Sequence, residues 1–259
     1  MKEALEGCNQ FFNLPMEEKM EFEGKDIWKP IRFGTGVDVN VEKFFYWRDF
    51  LKAYVHPQFN FPNKPKGFRE TGEEYCKRAR EVITELLKGI SESLGLEESY
   101  IEKAMNLESG WQMFVTNLYP ICPQPELAMG LPSHTDHGLL TLLIANEIGG
   151  LQIQRNGKWL NVNPLPNCLL VNTSDHLQIL TNGRYKSIRH RAVVNNKATR
   201  ISIAVPFGPS LDTVVSPAPE LIEGESNRPA EYMPMKYKDY MELTLEGIPC
   251  LDRVRLPVA

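Results

Sequence analysis

The spacing of hydrophobic and polar residues changes along the chain from a helical to an alternating period. Over residues 3–12, apolar side chains such as Leu5 and Phe11 recur at helical intervals, which predicts a helix with one buried face. The clearest helix is predicted over 73–95, where an apolar stripe lies opposite a charged face and Gly95 is a natural C-cap. Such a stripe indicates core packing rather than a binding site.

Two further helices are predicted, over 97–106 and 236–246. Residues 21–65 contain many aromatic residues, prolines and glycines, without a sustained hydrophobic period. This composition predicts a long irregular connection, with room for short strand pieces, that packs on the core through its aromatic side chains.

After Trp111 the pattern changes to short β-like runs that are separated by turn residues. Asn156-Gly157 is a strong hairpin signal, and Asn182-Gly183 indicates a second hairpin. Many short strands with helices at the two ends predict a mainly β protein, in which an antiparallel barrel or sandwich carries flanking helices. The predicted strands cover residues 113–119, 139–145, 151–154, 158–162, 168–172, 187–194 and 201–207.

A chain of 259 residues is long enough for one large β-rich domain with a sizeable core. The change of pattern divides it into an N-terminal helical and irregular region, 1–110, a β-rich core, 111–210, and a C-terminal extension with a helix, 211–259. We expect all three regions to form one structural unit.

Charge and cysteine content narrow the range of partners. The formal net charge is -4, without a long run of Lys and Arg, so neither nucleic acid nor a membrane surface is expected as a partner. A small molecule is expected instead, bound by a monomer. The five cysteines are odd in number and widely spaced, which indicates free thiols. No apolar stretch has the length of a membrane span and no secretory signal is recognisable, so a cytoplasmic location is expected.

A candidate metal site consists of His134, Asp136 and His190. Residues two apart on an extended strand point to the same side, so His134 and Asp136 can face one point, and a neighbouring strand can bring His190 to it. Two imidazoles and one carboxylate match the set of ligands that holds non-haem Fe(II) with open coordination positions. With five histidines in the chain, this spacing by itself is weak evidence for a metal.

Arg200 and Ser202 strengthen the evidence for a metal site at His134, Asp136 and His190. The residues 195–198 read as a turn, which predicts a hairpin between the strand of His190 and the strand of Arg200 and Ser202. Side chains alternate along a strand, so Arg200 and Ser202 lie on the face that the apolar residues of their strand do not occupy. An arginine inside a barrel requires an anionic partner. A dicarboxylate that reaches from the iron to Arg200 satisfies both sites, with Tyr119 as a further contact.

Longer motifs carry a family resemblance. They are Asn-Leu-Tyr-Pro-Ile-Cys-Pro-Gln-Pro-Glu-Leu, Gly-Leu-Pro-Ser-His134-Thr-Asp136-His-Gly-Leu-Leu-Thr-Leu-Leu, Gly-Gly-Leu-Gln-Ile, Gly-Lys-Trp, Leu-Thr-Asn-Gly-Arg-Tyr-Lys-Ser-Ile-Arg-His190-Arg and Arg200-Ile-Ser202. The chain resembles, over about residues 11–240, the plant 2-oxoglutarate- and Fe(II)-dependent dioxygenases. Within them it is most similar to the branch with flavanone 3-dioxygenases and salicylate hydroxylases of the downy-mildew-resistance type.

The resemblance implies a double-stranded β-helix, or jelly-roll, core of the cupin type. It implies His134, Asp136 and His190 as iron ligands, and Arg200, Ser202, Tyr119 and Asn117 as the residues that bind 2-oxoglutarate. The implied enzyme is an oxidoreductase that uses Fe(II), O2 and 2-oxoglutarate, supported by ascorbate, and releases succinate and CO2. It would hydroxylate or desaturate a small lipophilic or aromatic specialised metabolite. Phe114 and Phe207 are candidates for the substrate pocket, although core packing is an equal alternative.

Family members carry a further amino-terminal segment before the equivalent of residues 11–15. Without this segment we expect an open sheet edge and an uncovered apolar face, through which the chain can associate. One alternative function is therefore a catalytically impaired form that binds a ligand or a partner. Another is a cupin-like metal enzyme that uses the same ligands without 2-oxoglutarate, against which Arg200 and Ser202 argue.

Overall fold

Two antiparallel sheets that face each other form the centre of the structure, a computed structural model that describes residues 1–24, 26–36, 45–222, 228–244 and 250–257. The strands are β1 (Ile31–Thr35), β2 (Phe45–Tyr46), β3 (Asp49–His56), β4 (Trp111–Tyr119), β5 (Ala128–Met129), β6 (Leu131–His134), β7 (Leu140–Ala145), β8 (Leu151–Arg155), β9 (Lys158–Val162), β10 (Leu170–Thr173), β11 (His190–Ala192), β12 (Arg200–Gly208), β13 (Val214–Val215) and β14 (Met235–Lys236). The helices are α1 (Lys2–Phe12), α2 (Met16–Met20), α3 (Phe68–Ser93), α4 (Tyr100–Ala104), α5 (Asp175–Leu180), α6 (Pro219–Ile222), α7 (Tyr237–Thr244) and α8 (Cys250–Arg253), with a 3-10 turn at Leu107–Ser109.

The larger sheet has the strand order β1-β3-β4-β12-β7-β10, and the smaller has the order β6-β11-β8-β9. All neighbours within these two sheets are antiparallel. A short parallel pair, β2 with β5, and a short antiparallel pair, β13 with β14, complete the pairing. The fold is thus the expected double-stranded β-helix with flanking helices.

The two faces of the larger sheet have different chemical character. In β12, Ile203 and Val205 point into the hydrophobic core, whereas Arg200, Ser202 and Ala204 point to a cavity between the sheets. The other strands of this sheet alternate in the same way, because successive side chains of a strand lie on opposite faces. The sheet therefore separates a packed interior from a binding cavity.

Helices α1 and α3 cover the apolar face of the larger sheet. The Phe11 ring of α1 is fully buried, and its centroid lies between 5.7 and 6.3 Å from those of Phe12, Phe22, Phe33 and Phe68. Helix α1 also carries Gly7, where a Cβ atom would lie 2.5 Å from the Phe68 ring. The absence of a side chain there allows the two helices to pack closely.

Most predicted elements are present, but their bounds differ. The long helix begins at Phe68 rather than at residue 73, and it ends at Ser93 before Gly95, whose φ of 74° fits the expected cap. Residues 21–65 contain two full strands of the larger sheet, β1 and β3. Leu51, Ala53 and Val55 alternate with polar residues in β3, a strand pattern that the surrounding aromatic residues obscure. Of the predicted helix over 236–246, residues 245 and 246 lie outside the described residues.

The hairpin predictions have mixed outcomes. Asn156-Gly157 joins β8 to β9, and both residues have positive φ as this turn requires. Asn182-Gly183 instead follows helix α5, where the Gly183 amide donates to the Gln178 carbonyl, so that prediction is wrong. The turn at 195–198 also does not form a hairpin, because β11 lies in the smaller sheet and β12 in the larger. The chain crosses between sheets at this turn, a long-range feature that local turn chemistry does not reveal.

None of the helices in the described part of the chain combines the length and the apolar character that crossing a bilayer needs.

Replacing Phe11 by Ala is expected to lower the free energy of unfolding by about 3–5 kcal/mol, because removing a fully buried ring leaves a cavity. Thermal and denaturant unfolding measure this change. Met16→Ala is the matched control, since the Met16 side chain is 48% exposed, and is expected to change stability by less than about 0.5 kcal/mol. Equal losses in the two variants would contradict the placement of α1 in the core.

Candidate functional site

The structure brings His134, Asp136 and His190 together. His134 ends β6 and His190 begins β11, and the two residues face each other in the register of this antiparallel pair. Asp136 follows two residues after His134, and its Oδ1 lies 3.7 Å from the His134 Nε2 and 3.8 Å from the His190 Nε2. One ligand atom from each residue fits within 4.8 Å of the others, which is the size of a metal site.

Backbone carbonyls orient both imidazoles. The His134 Nδ1 lies 2.8 Å from the Pro132 carbonyl oxygen, and the His190 Nδ1 lies 3.1 Å from that of Ile188. A carbonyl only accepts, so Nδ1 carries the proton in each ring. The Nε2 lone pairs are therefore free to bind a metal beside Asp136.

The electrostatic environment favours the protonation states that a metal requires. Burial lowers the pKa of His134 to about 4, and the nearby His190 adds to this shift, so the His134 imidazole is neutral at physiological pH. Burial alone would raise the pKa of Asp136, but its neighbours, first among them His190 and His134, together hold this pKa below its usual range. A neutral imidazole and an ionised carboxylate are both ready to ligate.

Two features of the site fit Fe(II), namely its ligand atoms and one carboxylate oxygen that lacks a hydrogen-bond partner. The buried Asp136 Oδ2 has no hydrogen-bond partner among the described residues, although a carboxylate oxygen at such a depth needs one. Two imidazole nitrogens and a carboxylate, without a thiolate, suit non-haem Fe(II).

A buried hydrogen-bond network supports the segment that carries Asp136. The Asp175 amide donates to the Asp136 carbonyl at 2.9 Å. The Asp175 Oδ2 in turn accepts from the Thr135 hydroxyl at 3.0 Å and from the Tyr240 hydroxyl at 2.7 Å. No local sequence pattern predicts this network, because Tyr240 lies in the C-terminal helix α7, far along the chain from Asp175.

Arg200, Ser202, Tyr119 and Asn117 lie together on β12 and β4. Arg200 faces Tyr119 in the register and Ser202 faces Asn117, and the Arg200 guanidinium lies 5.0 Å from the centre of the Tyr119 ring. Arg200 is 3% exposed and donates to the Ser202 hydroxyl at 3.3 Å, but among the described residues no carboxylate pairs with it and no group hydrogen-bonds to its Nε. A buried guanidinium in this state favours an anionic ligand.

One cavity of about 340 Å³ contains both groups of residues. Apolar side chains cover another part of its wall, among them Ile27, Met113, Val115, Pro206 and Met241. The cavity is thus large enough for a dicarboxylate and a small organic molecule at the same time.

Phe114 and Phe207 do not line this cavity. Both rings are fully buried in the hydrophobic core on the opposite face of the larger sheet, where Phe114 packs edge-on against Phe61 and Phe68. Their expected place in the substrate pocket is therefore corrected. Their neighbours Met113, Val115 and Pro206 line the cavity instead, since strand alternation exchanges the two faces at each residue.

Besides Arg191 of β11, three cationic residues of the cavity wall were not identified from the sequence. They are Arg32 of β1, Arg48 just before β3, and Lys52 of β3. These cations could have been found by recognising β1 and β3 as strands of one sheet. The alternation of side chains along a strand then directs Arg32 and Lys52 to the same face.

Comparisons with known proteins agree with the geometry. The model of the 2OG-Fe(II) oxygenase superfamily matches residues 110–209. The 2-oxoglutarate-dependent dioxygenase 19 of Oryza sativa subsp. japonica is 45% identical over 245 residues, which cover 94% of this chain and 72% of that protein. Flavanone 3-dioxygenase 2 of the same organism is 40% identical over 242 residues, which cover 92% of this chain and 70% of that one.

A solved structure has the same fold. The crystal structure of JOX2 in complex with 2OG, Fe and JA superposes with a TM-score of 0.90 at 29% sequence identity, covering 99% of this chain and 78% of that one. Because relatives this similar are matched over more than two thirds of their length, the chain belongs to the 2OG-Fe(II) oxygenase superfamily and is a 2-oxoglutarate-dependent dioxygenase with Fe(II) and 2-oxoglutarate as its cofactors.

Proposed function

We propose that this enzyme inserts one oxygen atom into a C–H bond of a small lipophilic or aromatic specialised metabolite, or desaturates such a molecule. In the hydroxylation, one atom of O2 enters the substrate and the other enters succinate, while 2-oxoglutarate loses CO2. The observation that carries this proposal is the single cavity, which joins the His134, Asp136 and His190 cluster to the buried cation of Arg200.

His134, Asp136 and His190 are proposed as the residues that hold Fe(II). The bound iron supplies the open coordination positions at which O2 is activated and 2-oxoglutarate is oxidised. The protein contributes two oriented imidazoles and one ionised carboxylate. It also shields the His190 and Asp136 side chains, which are 10% and 15% exposed, from bulk water.

Arg200 and Ser202, with Tyr119 and Asn117, are proposed to bind the distal carboxylate of 2-oxoglutarate. The planar guanidinium can donate two parallel hydrogen bonds to a carboxylate, and the Ser202 hydroxyl adds a third donor. The Tyr119 ring packs against the guanidinium and limits its rotation. This arrangement also argues against a cupin-like enzyme that works without 2-oxoglutarate.

A cytoplasmic monomer that binds no nucleic acid and no membrane is the proposed form of the protein. The net charge of -4 supports this, as do the free cysteines Cys8, Cys76, Cys122, Cys168 and Cys250. We also propose that residues 1–110, 111–210 and 211–259 act as one unit. One core cluster contains Phe11, Phe207 and Tyr240, one residue from each region, which supports this.

Asp136→Ala is expected to weaken Fe(II) and Mn(II) binding by at least about 100-fold, since even residues that only orient a metal ligand contribute about 10–100-fold. Anaerobic titration calorimetry measures the affinity. Asp212→Ala removes an exposed carboxylate whose ion pair with Lys236 lies on the surface, and serves as the control. Undiminished metal binding by the Asp136 variant would refute the proposed ligand set.

Arg200→Ala is expected to raise the dissociation constant of 2-oxoglutarate about 10–100-fold. Hydrogen bonds to charged groups contribute about 1.5–3 kcal/mol, and about 1.4 kcal/mol corresponds to a factor of ten. Binding is measured by calorimetry, and turnover by succinate release with Fe(II), 2-oxoglutarate and ascorbate. Arg155→Ala, at an exposed position of β8, is the control. Succinate release by the Arg200 variant at the wild-type rate would show that the cosubstrate site is assigned incorrectly.

Activity itself is tested with a plant metabolite extract. Products heavier than their precursors by one oxygen are expected in mass spectra when Fe(II), 2-oxoglutarate and the wild-type protein are present, and they should disappear with Asp136→Ala. If wild-type protein binds 2-oxoglutarate but releases no succinate above the Asp136→Ala background, the alternative of a catalytically impaired binding protein replaces the proposed function.

A further inference from the structure

Two tyrosines of helix α7 are fully buried close to the proposed metal ligands. Tyr237 and Tyr240 are three residues apart, so they lie on one face of this helix. Both hydroxyls are hydrogen-bonded, as a buried tyrosine requires. Phenylalanine would fill the same space without this requirement. The partners of the two hydroxyls therefore indicate what the tyrosines contribute.

Both hydroxyls act on the stretch of chain that carries His134 and Asp136. We call residues 134–138 the ligand segment. Strand β6 ends at His134 and β7 begins at Leu140, so most of the segment lies between strands, outside the hydrogen-bond ladders of both. Contacts from other parts of the chain must therefore fix the position of Asp136.

Helix α5 holds the ligand segment from one side. The Asp175 amide donates to the Asp136 carbonyl at 2.9 Å, and the His176 amide donates to the Gly138 carbonyl at 2.8 Å. The Asp175 carboxylate also accepts from the Thr135 hydroxyl at 3.0 Å. The first two residues of α5 thus bind three residues of the ligand segment.

Helix α7 holds the same segment by two further contacts. The Tyr240 hydroxyl donates to the Asp175 Oδ2 at 2.7 Å, and so fixes the carboxylate through which α5 binds the segment. The Tyr237 hydroxyl lies 3.0 Å from the His137 Nδ1, which is a direct hydrogen bond to the ligand segment. The segment is therefore restrained at two places by a helix more than 90 residues further along the chain.

The rings of the two tyrosines have little freedom to move. The His176 ring lies between them, with its centroid 4.6 Å from that of Tyr237 and 4.5 Å from that of Tyr240, and it is edge-on to both. The Tyr237 hydroxyl also lies against Gly208 of β12, where a Cβ atom would collide with it. The packing of the rings thus positions both hydroxyls in advance.

We infer that Tyr237 and Tyr240 are positioning residues of the metal site, through which helix α7 raises the affinity for the metal. This inference rests on the proposed ligands His134, Asp136 and His190. The two hydroxyls hold the ligand segment in the conformation that presents its ligands beside His190, so metal binding does not have to order the segment. Such coupling is reciprocal, and bound metal stabilises the docking of α7 by the same factor.

A purely structural role of the hydroxyls gives a different expectation. Hydroxyls that only satisfy buried polar groups contribute to the free energy of unfolding. Their removal lowers thermal stability but leaves the metal affinity of the folded protein unchanged. Metal affinity and the exchange of α7 amides therefore distinguish the two roles.

Variants measure the effect on metal affinity. Tyr237→Phe, Tyr240→Phe and the double variant keep both rings and remove only the hydroxyls. Each single variant is expected to weaken Mn(II) and Fe(II) binding about 10-fold, and the double variant at least as much, because residues that orient a metal ligand contribute about 10–100-fold. Anaerobic calorimetry measures binding at a temperature where thermal unfolding shows every variant to be folded.

Tyr100→Phe is the matched control. The Tyr100 hydroxyl donates to the Glu220 carboxylate at 2.6 Å, the same chemistry as the Tyr240 contact, but it joins α4 to α6 rather than α7 to the ligand segment. This variant should keep the wild-type metal affinity.

Hydrogen exchange tests the reciprocal effect and needs no variant for its first result. Saturating Mn(II) is expected to slow exchange of the amides of α7, Tyr237–Thr244, about 10-fold or more in the wild-type protein. The same slowing is expected in Tyr100→Phe, whereas it should be lost in the double variant.

Two results would overturn the inference. Either the double variant binds Mn(II) and Fe(II) as tightly as the wild-type protein, or Mn(II) leaves the exchange of α7 in the wild-type protein unchanged. If only the single variants fold, unchanged affinity in both of them has the same meaning. Failure of the proposed ligand set gives a different result, namely that Asp136→Ala binds the metal as tightly as the wild-type protein.

Discussion

The strict alternation of side chains across the six-stranded sheet is the constraint on which the rest of the structure depends. One face packs against α1 and α3 with apolar residues such as Phe114 and Ile203, and the other face lines the cavity with both polar and apolar residues, among them Arg200 and Ser202. Because this period is two residues, a shift by one position would bury Arg200 in the core and turn Ile201 into the cavity. The same rule therefore maintains both the stability of the fold and the chemistry of the site.

The charge of the cavity follows from this arrangement. Among the described residues of its wall, the one carboxylate is Asp136, whereas the cations are Arg32, Arg48, Lys52, Arg191 and Arg200. Low-dielectric walls with an excess of one sign of charge attract ligands of the other sign. An anionic cosubstrate is suited to such a cavity, and the smaller sheet contributes the two histidines that lie beside Asp136.

Local patterns predicted much of the fold and of the candidate site. The hydrophobic periods placed α1, α3 and most strands of the core to within a few residues, and the Asn156-Gly157 turn was correct. Predictions that needed sheet pairing were less successful. The expected hairpin between the strands of His190 and Arg200 is a crossing between two sheets, and β1 and β3 were not recognised as strands of the larger sheet. Turn chemistry acts over a few residues, whereas strand partners are chosen by packing across the whole chain.

The sequence by itself determined which side chains are available for chemistry and which neighbours share a face. His134 and Asp136, two residues apart, and Arg200 and Ser202, also two apart, are pairs of this kind, because alternation is a local property of extended backbone. Only the tertiary structure decided which pairs meet. Strand register placed His190 opposite His134, and the order of strands in the larger sheet brought Arg32 and Lys52 to the cavity. Such contacts join residues far apart in the chain, where burial and packing, rather than any local pattern, select the partners.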